Sequence, residues 1–146
     1  MNTRQKAVLA MTSAAALAAP VVQASAATKT TPKKKVVTVT KKVNGSQGDA
    51  GRWGSVQVTL TIKKTTTTVG KKKTVTRKIT NVAVPVYPNH TDRSVFINQQ
   101  AIPMLVQEEL TAQFDINKVD VISGATDTSY AFGQSLQAAL TAAKTV

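Results

Sequence analysis

The chain has 146 residues, no cysteine, one histidine and a formal net charge of +12. This length suits one domain with a modest core, and the missing thiols exclude disulfides, cysteine zinc sites and a lipid anchored on cysteine. The charge is lopsided: from Lys29 to Lys78 every charged residue except Asp49 is Lys or Arg, whereas from Ile79 onward Arg93, Lys118 and Lys144 stand against six acids.

Arg4 and Lys6 precede the run AVLAMTSAAALAAPVV, and Ala24 and Ala26 follow at A-x-A spacing. The run is shorter than the roughly 18 apolar residues of a membrane span and is broken by Pro20, so residues 1–26 read as a secretory signal peptide, with an uncleaved anchor as the alternative. The mature chain is then exported. Residues 27–35, ATKTTPKKK, have no apolar periodicity and read as a basic linker, leaving residues 36–146 as the folded domain.

VVTVTKKV predicts a short strand with Val37, Val39 and Val43 inward, closed by the glycine-rich loop NGSQGDAG. WGSVQVTLTIKK alternates cleanly, with Val56, Val58, Leu60 and Ile62 on one face, and predicts a half-buried strand. It continues to a turn at Gly70, and TVTRKITNVAVPVYP returns. The inward set shifts phase from Val75 and Ile79 to Val82, Val84 and Val86, which calls for a bulge near Thr80 and Asn81.

After YPNHTDRS the period becomes helical. Ile97, Ala101 and Leu105 are four apart, as are Ile102 and Val106, and Leu110 and Phe114 continue the stripe, with Pro103 inside it kinking the helix or opening its second half. VDVI predicts a short strand, and the closing helix runs from about Ser129 to Lys144 with Phe132, Leu136, Leu140 and Ala143 on its core side. The fold class is α+β: a small antiparallel sheet with a long hairpin, packed against two helices.

The lysine-rich hairpin has two readings. One is a well-solvated sheet face whose charges guard an exposed edge; the other is a surface attracted to anionic cell-wall polymers or lipid headgroups. Nucleic acid is a poor match, because threonines rather than aromatics separate the lysines.

Between VDVI and the last helix, Ser123, Thr126, Thr128 and Ser129 crowd around Gly124 and Ala125. An ordinary helix start needs one capping oxygen, so these residues form either a generous cap or a socket for an anion on the unpaired N–H groups of the helix. Gly124 permits a positive φ, and Ala125 leaves room for close approach.

The string DVISGATDTS resembles the flavinylation motif of the FMN-binding domain family, D-x-x-[ST]-G-A-T followed by x-[ST]. Asp120, Ser123, Gly124, Ala125 and Thr126 match its core, and Thr128 and Ser129 match the hydroxyls that follow. WGSVQV is similar to the strand start of small exported members, and RSVFINQQAIPMLVQEEL to their R-S-x-x-I-N-x-x-A-x-P-x-L helix. The family also includes subunits of sodium-pumping NADH:quinone reductases. The resemblance implies FMN joined through its phosphate to the hydroxyl of Thr126. It also implies a separate Mg²⁺-dependent flavin transferase that takes FAD as donor and reads Asp120 to Thr126.

A threonine hydroxyl is a weak nucleophile, and only Asp120 and Asp127 stand near it in the motif, so self-attachment is not expected. The function implied is an exported, secreted or surface-associated electron carrier between redox partners rather than an enzyme with its own substrate. Its rival is a cofactor-free basic module on anionic wall or membrane surfaces. Trp53 reads either as core packing or as a stacking partner for the flavin, and Tyr130 carries the same pair of readings. Arg93 is placed to pair with Asp92 or Glu109, or to approach the phosphate. His90 lacks a second ligand for a metal, and no hydrolase triad or G-x-G-x-x-G loop is present.

Overall fold

The alternation of VQVTLTI produces the strand on which the molecule is built. In a computed structural model that describes residues 31–146, β3 (Ser55–Val69) turns Val56, Val58, Leu60 and Ile62 inward, all of them buried. The expected signal peptide and residues 27–30 of the linker lie outside the described residues. Two shorter strands, β1 (Lys34–Asn44) and β2 (Gly48–Asp49), pair with β3, as does the long β4 (Lys72–Val86), and every pairing is antiparallel. β1 starts at Lys34, so the last residues of the expected linker belong to the sheet.

α1 (Asp92–Ala112) and α2 (Thr126–Thr145) complete the predicted α+β architecture. Phe132, Leu136, Ala139, Leu140 and Ala143 of α2 pack against the inward face of β3, and Leu105 of α1 joins them. α1 is capped by Thr91, whose hydroxyl accepts from Ser94 N–H at 3.1 Å, and it runs through Pro103 as one helix. Pro103 lies on the exposed face, where the freed carbonyl of Gln99 can bond to water. Among the described residues no helix is long and apolar enough to cross a membrane.

The bulge falls where the spacing placed it. Thr61 pairs with Asn81 and Ile62 with Ile79, leaving Thr80 as the extra residue. Ile79 and Val82 therefore both face the core although an odd step separates them. Gln113, just past α1, holds this irregular edge: its amide oxygen accepts from Ile79 N–H at 2.9 Å and its amide nitrogen donates to the Ile79 carbonyl at 3.2 Å.

Three expectations are corrected. Val37, Val39 and Val75 are exposed, at 44%, 45% and 39%, because the helices stop short of them and the strands run on into water. VDVI forms no strand: Asp120 N–H donates to the Glu108 carboxylate and Ile122 N–H to Ser129 Oγ, so side chains satisfy the backbone in place of a ladder. The last helix begins at Thr126, three residues before the expected start, and so takes in the middle of the hydroxyl cluster.

The glycine loop has a packing role beyond turning the chain. A Cβ on Gly45 would overlap the Ser135 carbonyl of α2, and one on Gly48 would overlap the Ala131 carbonyl. Between these contacts Ser135 Oγ accepts from Val58 N–H at 2.8 Å, at the point where β3 is paired by neither β1 nor β2. Gly48→Ala should therefore lower stability by roughly 1–3 kcal/mol, read as a fall in denaturation midpoint.

Glu109 is the one fully buried acid, and neither of its carboxylate oxygens finds a hydrogen-bond partner among the described residues. Burial raises its pKa from 4.5 to about 7. The folded state thus holds a proton that the unfolded chain releases, so stability declines as pH rises from about 4.5 to about 7 and then levels. The loss is on the order of 3 kcal/mol. Glu109→Gln should flatten that slope in denaturation curves measured at pH 5 and pH 8.

Candidate functional site

Chain direction brings four segments to one end of the sheet. The 3-10 turn Gly51–Trp53 leads into β3, Pro88 follows β4, and the first turn of α1 lies beside the first turn of α2. They enclose an open cavity of about 230 Å³ lined by Arg52, Trp53, Arg93 and Asn98 on one side and by Gly124 to Thr128 on the other.

The turn that enters α2 depends on glycine. Ala125 N–H donates to the Ile122 carbonyl at 3.0 Å, and Gly124, the third residue of that turn, has φ +85°. The first helical bond runs from Ser129 N–H to the Ala125 carbonyl at 2.9 Å. The N–H groups of Thr126, Asp127 and Thr128 therefore have no intrahelical acceptor. Among the described residues no side chain caps them either. The hydroxyl cluster is not a cap, which corrects the capping reading of Thr128 and Ser129.

Those two hydroxyls are engaged elsewhere. Ser129 is buried, accepts from Ile122 N–H at 3.1 Å and donates to the Ala125 carbonyl at 2.9 Å, fixing the turn from behind. Thr128 is buried and donates to Asn98 Oδ1 at 2.8 Å, while Asn98 Nδ2 donates to the Pro88 carbonyl at 2.7 Å. This chain ties α2, α1 and the segment after β4 into one wall. Thr126 is exposed at the mouth and takes no part in the network.

Gly124, Ala125, Thr126 and Thr128 thus line the cavity together, whereas Ser123 faces a neighbouring groove of about 580 Å³ with Phe96, Met104 and Val121. Asp120 lines neither space and is exposed. Trp53 packs against the core cluster, as the packing reading has it, and also stands on the cavity wall. Tyr130 is 60% exposed and lines neither cavity. Arg93 pairs with neither Asp92 nor Glu109, since the ion pair among the described residues is Lys118 with Asp115.

Electrostatically the mouth favours an anion. The unpaired N–H groups carry the positive end of the α2 dipole, and Arg52 and Arg93 add two cations against Asp127. Arg52 lies 4.7 Å above the Trp53 ring, which holds its charge beside the cavity. Arg52 and Asn98 were not apparent as site residues from the sequence. Asn98 had a legible signal: it shares a helical face with Ser94, Ala101 and Leu105, so it had to be buried and bonded.

Residues 51–141 match the family model of the FMN-binding domain, and the chain belongs to that family. No curated protein and no solved structure matches the chain. FMN is its cofactor. The residues at the cavity fit that group, because an uncapped helix start, two arginines and a half-buried tryptophan complement a phosphate that carries an aromatic ring system.

Asn98→Ala would leave Thr128 Oγ1 and the Pro88 carbonyl unpartnered in a buried wall. It should lower stability by about 1–3 kcal/mol, measured by thermal melting.

Proposed function

We propose that the protein is an exported electron carrier whose FMN is joined through its phosphate to Thr126. The observation that carries this reading is the sorting of the hydroxyls at the α2 start. Thr128 and Ser129 are buried and hydrogen-bonded, Ser123 faces the neighbouring groove, and Thr126 alone is exposed on the cavity that holds the free N–H groups and both arginines.

In the attachment reaction Thr126 Oγ1 bonds to the flavin-side phosphorus of FAD. The phosphoanhydride bond breaks, AMP leaves with the electron pair, and the hydroxyl proton is released. A separate Mg²⁺-dependent flavin transferase supplies the base, because a threonine hydroxyl is a weak nucleophile and neither Asp120 nor Asp127 hydrogen-bonds to Thr126 among the described residues.

Once bound, FMN supplies one- and two-electron chemistry, and the chain's residues position it between redox partners. Arg52, Arg93 and the N–H groups of residues 126–128 hold the phosphate, while Trp53 and Ile97 offer apolar wall. The signal peptide read in residues 1–26 takes the protein across the membrane, where an ester bond prevents loss of the flavin by dilution.

Co-expression with a flavin transferase should give flavin fluorescence that travels with the denatured polypeptide on a gel, and Thr126→Val should abolish it. A colourless wild type, or a Thr126→Val chain that keeps its flavin, would overturn the assignment. Asp120 is exposed and lines neither cavity. Asp120→Ala should therefore cut flavin loading several-fold while leaving the melting temperature of the apo protein within about a degree, as is usual for surface changes.

A further inference from the structure

Beyond Ile62 and Ile79 the sheet outruns its helices and continues as a three-stranded ribbon formed by the outer parts of β1, β3 and β4. We propose that this ribbon is a docking surface for a linear polyanion of the phosphodiester-linked polyol type. The proposal is independent of the flavin reading.

The charge is one-signed. The chain has no acid before Asp49 and none between Gly51 and Thr91, so the ribbon contains cations only, and no segment preceding it in this sequence can neutralise them. The ion pair found among the described residues, Lys118 with Asp115, lies elsewhere. Arg77 Nε donates to the Val146 main-chain oxygen at 3.0 Å, but the ribbon's lysines have no acid on the ribbon to meet; they gather mobile counterions, and a polyanion that displaces these gains their release entropy.

The register shows how the charge is distributed. On the face that continues from Leu60 and Ile62, Lys35, Thr68 and Lys73 form one row and Val39, Lys64 and Arg77 another. On the opposite face Lys34, Val69 and Lys72 form one row and Thr40, Lys63 and Lys78 another. Both faces are therefore basic. A bilayer is planar and could meet only one of them, whereas a flexible chain in a mesh can lie along both.

Two further features favour a hydroxyl-rich polymer over a lipid surface. The ribbon carries no Trp, Tyr or Phe to sit in a headgroup layer, and of its exposed valines only Val37 and Val39 are adjacent on one face, with Val75 set apart from them across Thr66, too little for an apolar patch. Threonines fill the gaps instead, with Thr38, Thr65 and Thr76 in one cross-strand row and Thr67 beside Thr74 in the next. Same-face residues on a strand lie about 6.6 Å apart, a spacing comparable with the charge repeat of a glycerol phosphate chain.

The test uses the full FMN-loaded protein and two triple variants, Lys35→Gln/Lys64→Gln/Lys73→Gln on one face and Lys34→Gln/Lys63→Gln/Lys72→Gln on the other. The probes are poly(glycerol phosphate), neutral dextran and vesicles containing phosphatidylglycerol. The expected result is salt-sensitive binding to poly(glycerol phosphate), none to dextran, and a loss of about tenfold in each variant at about 0.1 M salt, with flavin loading and the far-UV spectrum unchanged. Three results would overturn the proposal: no binding to poly(glycerol phosphate), wild-type affinity in either variant, or vesicle binding that depends on one face and exceeds polymer binding.

Discussion

Everything at the cavity end depends on how closely α2 approaches the sheet. Gly45 and Gly48 let the helix backbone rest on the backbone of the chain between β1 and β3, and Ser135 supplies the acceptor that Val58 lacks in the ladder. With that contact set, Phe132 and Leu136 enter the core and the first turn of α2 projects past the end of β3. The free N–H groups of the site are thereby held by a rigid element. A side chain at either glycine would push the whole helix outward, and the cavity mouth would move with it.

Around this anchor, polar groups are distributed by role. Asn98, Thr128 and Ser129 are buried and satisfied, so they act as structure, while Thr126 and the arginines are exposed and free to meet a ligand. Glu109 is the exception, a buried acid with no hydrogen-bond partner among the described residues, whose ionisation desolvation delays to about pH 7. Its position on α1 faces the core, away from the cavity lining.

Much of the fold was legible because two periods dominate the sequence. The alternation from Val56 to Ile62 and the odd step between Ile79 and Val82 predicted both a strand and its bulge, and both are determined by which side chains must be dry. VDVI misled for the opposite reason: four residues with an apolar alternation cannot show whether a strand edge is free to receive them, and here side chains from α1 and α2 took the hydrogen bonds. The expected start of α2 at Ser129 falls three residues late because Ser and Thr at a helix start look like caps, whereas the N-cap is Ala125. The site motif was readable as a string. The wall that faces it was legible only in part: Trp53 stood out as an aromatic at a strand start and Asn98 as a polar residue on the buried face of α1, whereas Arg52 is brought there by tertiary contacts that no local pattern encodes.

The length of β3 has an electrical consequence. Its 15 residues span roughly 45–50 Å, and from Gly54 to Val86 neither β3 nor β4 carries an aromatic or sulfur-bearing side chain. With the flavin at the Trp53 end, as proposed, its electron would have no stepping stone toward Gly70, and direct tunnelling over such a span is negligibly slow. The ribbon is an insulator. On the proposed carrier reading, whatever its tip touches stays out of the redox circuit, and donors and acceptors would approach from the opposite end, where the α1 and α2 starts leave the cavity open.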